Sequence, residues 1–198
     1  HDDLGPFDQY LPAADLVINT DMGTEPADFI LSSPSKLVYV HVKCGSSKLR
    51  PLSSAGGLAE VGSQAIKNIE MLISGNRNLK TGNWTELCSP WPKPNVSQLM
   101  DERIRLFRGE SFTANNQAER EQAVEEVWDV IAQRRQSTAV KKEVWIVAAN
   151  SFSARNFSTQ LARGHNARSE SLQAYQLIQS WLSTAHGNDV DLKIFVSP

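Results

Sequence analysis

Cysteine is scarce in this chain: Cys44 and Cys88 are its two cysteines among 198 residues. Two thiols build neither a disulfide framework nor a zinc cluster, so a reducing compartment, the cytoplasm, is the expectation. Long apolar runs are also missing. None approaches the roughly 20 residues needed to cross a membrane, and no secretory signal pattern is present. The sequons at Asn83, Asn95 and Asn156 are therefore expected to be chance matches. There is no GxxxxGK[ST] phosphate loop and no GxSxG nucleophile elbow, which argues against a motor or a serine hydrolase on this chain. Charge of one sign is lacking too, since 20 basic against 22 acidic residues leave a formal net charge of -2. A generally basic nucleic-acid binder is thereby excluded, and any grip on a polyanion has to come from local patches. Arg134-Arg135, Lys141-Lys142, and Lys43 with Lys48 and Arg50 are the available ones.

What is present suits one packed domain of 198 residues: 40% hydrophobic and 21% charged residues are ordinary globular values. The chain opens His-Asp-Asp without Met, and a piece of a larger polypeptide is the expectation. Apolar runs at 16–19, 27–31 and 37–44 read as three early strands, with a turn at Ser32-Ser33-Pro34-Ser35 between the last two. A Gly/Ser-rich loop over 45–57 leads into a helix over about 58–73, where Leu58, Val61, Ala65, Ile69 and Leu72 recur at spacings of three and four. Residues 75–97, with Trp84 and Trp91, form a Trp/Pro-rich insertion or loop. Helices are predicted over about 98–108, 118–135 and 170–185. Strands are predicted at 143–149, which is apolar enough to be buried on both faces, and at 192–196. The alternation gives an α/β fold, a mixed central β-sheet with helices on both faces.

The chemistry concentrates between Gly23 and Lys43. A hairpin centred near Pro34 places Asp28 across from about Val40, one step from His41, and the two-residue repeat of a strand puts His41 and Lys43 on one face. Asp21 and Glu25 stand at the rim. Carboxylates so grouped suit Mg²⁺, which takes oxygen ligands, and a lysine beside them can orient water or stabilise developing charge. Gln64 on the following helix could support such a site. An Asp28–Lys43 ion pair inside the sheet is the structural alternative.

These tracts resemble the PD-(D/E)xK restriction-endonuclease-like superfamily. The resemblance rests on Pro26-Ala27-Asp28-Phe29, on His41-Val42-Lys43, and on Gln64 within Gly-Ser-Gln, and it covers about residues 14–70. It implies a restriction-endonuclease-like fold with Asp28 as a metal ligand, Lys43 as the catalytic lysine and Gln64 as a supporting residue. His41 stands where the family has a second acid. Imidazole suits Mn²⁺ better than Mg²⁺, which leaves three readings open. His41 binds metal or acts as the base; Glu25 supplies the missing carboxylate; or the site is degenerate. The expectation is a metal-dependent DNA nuclease using Mg²⁺ or Mn²⁺, with Asp28, Glu25 and His41 as ligands. Such a domain would serve DNA repair or anti-phage defence beside a helicase or ATPase. The alternative is a nuclease-like module that binds nucleic acid or docks a protein without cleavage.

Overall fold

The computed structural model describes residues 5–23, 25–45, 51–76, 84–89 and 102–198. Lys48, Arg50, Trp91, Asn83, Asn95 and most of the 75–97 insertion lie outside them. In chain order the elements are β1 (Leu16–Asn19), β2 (Phe29–Ser33), β3 (Lys36–Val42), α1 (Ala55–Lys67), α2 (Ile69–Ile73), β4 (Ile104–Phe107), β5 (Glu110–Ser111), α3 (Gln117–Gln136), β6 (Lys141–Ser153), α4 (Ala154–Leu161), α5 (Ser169–Gly187) and β7 (Val190–Ser197). The fold is α/β. Seven strands form a mixed sheet in the order β5-β4-β1-β2-β3-β6-β7, flanked by helices. No helix among the described residues is long and apolar enough to cross a membrane.

The chain groups into two compact units, residues 1–39 with 71–142 and residues 40–70 with 143–198. In the first, β1 is antiparallel to both β2 and β4, with Ile18 opposite Ile30 and Ile104. Helix α3 turns Val124, Val127, Trp128 and Ile131 inward at helical spacing. Asn116 caps it by accepting from the Glu119 amide at 3.0 Å, satisfying one of the four N–H groups every helix start leaves open. The Arg134-Arg135 pair serves this unit rather than a polyanion. Arg134 reaches both carboxylate oxygens of Asp15, at 2.6 and 2.5 Å. Arg135 is buried, donates to the carbonyls of Met71 and Asn76 and lies over the Trp128 ring. Burial pushes the nearby Tyr39 hydroxyl up to about 12, against the pull of Arg135.

In the second unit, β6 carries Val144, Trp145, Ile146 and Ala148 with almost no exposure, matching a strand covered on both faces. Glu143 is fully buried there and accepts from Trp145 Nε1 at 2.8 Å and Lys193 Nζ at 2.6 Å. Helix α1 packs on α5, where Gly62 lies under the Trp181 ring.

The structure departs from the sequence reading in several places. Residues 104–107 of the predicted 98–108 helix form β4, because burial alternates Ile104 and Leu106 inward, the period of a strand. Residues 98–101 lie outside the described set. The helix over 58–73 starts earlier, at Ala55, and is interrupted at Asn68. Gly56 and Gly57 thus belong to a helix rather than to the preceding loop. Helix α4 was not anticipated.

Candidate functional site

The loop from β1 to β2 gathers the acids. Thr20 N–H donates to the Asp28 carbonyl at 2.8 Å and Thr20 Oγ1 to the Ala27 carbonyl at 2.6 Å. These two bonds close the loop at its base, so the chain between must turn tightly. Gly23 does so with φ +87°, a conformation that side chains with a Cβ resist. Glu25 Oε2 accepts from the Met22 amide at 3.2 Å. The outcome is that carboxylate oxygens of Asp21, Glu25 and Asp28 all lie within 4.8 Å of one another, each on a half-buried residue.

That spacing and donor set fit a hard divalent cation. Mg²⁺ holds oxygens at roughly 2.0–2.1 Å and Ca²⁺ at roughly 2.3–2.6 Å, so opposite ligands stand about 4–5 Å apart. Three carboxylates in one loop also repel, and the structure meets this with Arg103. Its guanidinium is buried, donating to Asn19 Oδ1 at 3.0 Å and to the Asp21 carbonyl at 2.9 Å. Burial lowers its affinity for the proton, whereas the charges of Asp21 and Glu86 raise it. Asp21, seen from the sequence as a rim residue, is a full member of the cluster. Arg103 was not anticipated, because its segment read as part of a helix over about 98–108.

The other residues of the expected site belong to the second unit. His41 near the end of β3 is 3% exposed, and its Nε2 has no hydrogen-bond partner among the described residues. Burial drives its pKa down to about 4, so the ring is neutral at pH 7 with a lone pair available. Lys43 follows β3, with its amide donating to the Val147 carbonyl at 2.8 Å. Its ammonium reaches Glu60 Oε2 on α1 at 2.7 Å, on a side chain 44% exposed. Gln64, one turn after Glu60, is exposed on α1. The sequence reading offered Asp28 as the ion-pair partner of Lys43 and Gln64 as a support on the helix; Glu60 as a partner was not anticipated. The i,i+4 relation of Glu60 and Gln64 was the available signal.

The chain matches no family model, and no curated protein or solved structure matches it at a significant level.

Proposed function

We propose that this chain is a metal-dependent phosphodiesterase, a nuclease acting on DNA, with a restriction-endonuclease-like arrangement of strands. The observation that carries this reading is the convergence of Asp21, Glu25 and Asp28 within 4.8 Å. Asp28, Glu25 and Asp21 would hold Mg²⁺ or Mn²⁺. A divalent ion at such a site activates water and neutralises charge on the phosphoryl oxygens. Arg103 holds the Asp21 backbone and limits the repulsion among the acids before a cation arrives. Lys43 carries a positive charge of the kind that offsets charge developing on a phosphate, and Glu60 pairs with it. Gln64 lies on the same helix as Glu60 and supports from there. DNA is the substrate, and a helicase or ATPase is the partner proposed for the parent protein in repair or anti-phage defence.

The experiment is cleavage of plasmid and single-stranded DNA with Mg²⁺ or Mn²⁺ against a chelator control. Metal-dependent cleavage should disappear in Asp28→Ala and Lys43→Ala. No cleavage with either ion, or undiminished cleavage by both variants, refutes the reading.

One observation favours the rival reading, a nuclease-like module without turnover: the lysine of the motif is already ion-paired, to Glu60. Under that reading DNA affinity falls with salt, no metal-dependent cleavage occurs, and His41→Glu creates or raises activity.

A further inference from the structure

The two ends of the strand order are finished differently. At one end β5 is two residues long, Glu110-Ser111, both polar and exposed. So short an edge offers another strand little to pair with. At the other end β7 runs for eight residues, Val190–Ser197, and among the described residues β6 is its one strand neighbour. Its second side presents a long row of backbone N–H and C=O groups for pairing.

The side chains of β7 do not guard that edge. Edge strands are commonly blunted by an outward lysine, a proline or a bulge. The strand holds no proline, and its one lysine, Lys193, turns in toward the sheet. The Lys193 ammonium donates to the buried Glu143 carboxylate at 2.6 Å and lies 5.5 Å from the centroid of the Trp145 ring. Phe195 meets the same ring edge to face, with centroids 5.3 Å apart. Leu192, Ile194 and Val196 alternate with them on the opposite face, and all three are half-buried. Asp191, near the start of the strand, is its remaining charge. Helix α5 packs on β7 and adds no charge between residues 171 and 185. It exposes Leu172, Tyr175 and Leu182. These lie roughly 100–180° around the helix from Trp181, the residue over Gly62 of α1. Depletion of charge around apolar and aromatic side chains is the composition of an interface core.

The chemistry of this edge restricts its occupant. The backbone row needs an extended strand, and the half-buried side chains need apolar neighbours at alternate positions. A partner recognised by charge would find only Asp191 and an inward Lys193. A second copy of β7 meets these conditions. We propose that two copies of this chain pair β7 with β7, antiparallel about a two-fold axis at Ile194, so that one sheet runs through the dimer. In that register Leu192 faces the second copy's Val196, Lys193 faces its Phe195 and Asp191 faces its Ser197. No like charges are opposed, and the two-fold makes each of these contacts twice. Moving the axis to Lys193 would set two ammonium groups opposite each other, which disfavours the slipped register. The inference is independent of the acid cluster and of cleavage.

The test is sedimentation equilibrium of the whole chain over a range of concentrations, where a reversible monomer–dimer equilibrium is expected. Ile194→Lys places like charges on the axis and should weaken association by about tenfold or more. The half-buried position lets the new ammonium reach water in the monomer, and a melting curve checks the fold. Oxidative crosslinking supplies a second measurement that does not depend on that variant. Opposed residues of antiparallel strands have Cα atoms about 4.5–5.5 Å apart, within the span of a disulfide. With Cys44 and Cys88 replaced by serine, Ile194→Cys should form a covalent dimer. Asp191→Cys, which faces Ser197 rather than itself, should not. A chain that stays monomeric at every concentration overturns the proposal. So does a dimer undiminished by Ile194→Lys, or crosslinking that is equal at positions 191 and 194.

Discussion

His41 concentrates the chemistry at the scale of single residues. An imidazole this buried is neutral because water is not there to solvate its charge. Its pKa falls from 6.5 to about 4, so between those values the unfolded chain binds a proton that the folded chain refuses. Stability is then fully present above pH 6.5 and declines as pH drops toward 4, by at most about 3 kcal/mol from this residue. Urea midpoints measured from pH 7 to pH 4 should show that decline, and His41→Gln should flatten it. A His41→Gln profile with the same slope would place the pH dependence elsewhere. At Asp28 the expected result is calorimetric: Mn²⁺ binding by the wild type, and at least about tenfold weaker binding by Asp28→Ala, the cost of one charged ligand. Lys43 and Glu60 form a part-exposed pair, and exposed pairs contribute only about 0–1 kcal/mol. Glu60→Gln should therefore leave the melting temperature nearly unchanged, and any large effect should fall on DNA cleavage.

The packing of α1 on α5 depends on a missing side chain. A Cβ on Gly62 would come within 2.1 Å of the Trp181 ring. Replacing glycine in a helix by alanine ordinarily gains up to about 1 kcal/mol, but here the added methyl must displace an indole. Gly62→Val should cost about 1–3 kcal/mol by overpacking, and Gly62→Val with Trp181→Leu should recover part of it. Denaturant unfolding of the single and double variants measures both. Helix α3 depends instead on its first turn, and Asn116→Ala should cost about 1 kcal/mol through loss of the cap. How well each element could be read varied with its pattern. α3 and α5 carry long runs of helical spacing and were located to within a residue or two. β4 did not announce itself, since four residues with two inward-facing side chains are too short to show a period against the charged residues around them.

For the molecule as a whole, a cation held by the acid cluster would link ligand binding to stability. A cation that binds only the folded chain stabilises it by about 2.7 kcal/mol at 100 times its dissociation constant. Mn²⁺ should accordingly raise the melting temperature of the wild type more than that of Asp28→Ala. An equal rise in both would mean that the ion acts at some other position. The near-zero net charge conceals a local concentration of acids in the β1–β2 loop.

The sequence by itself determined the fold class, because the alternation of short apolar runs with helical stripes is a property of neighbouring residues. It also marked Asp28, Glu25, His41 and Lys43 as candidate site residues, since such residues stand out within and beside apolar strands. Only the tertiary structure decided their surroundings. Asp21 joins Glu25 and Asp28 because Thr20 closes the loop onto Asp28 and Ala27. Arg103 reaches Asp21 from 82 positions away, and Ser53 meets Asn156 and Ser171 across 103 and 118 positions. Contacts at such separation arise from the order of strands in the sheet and the packing of helices, which no local period encodes.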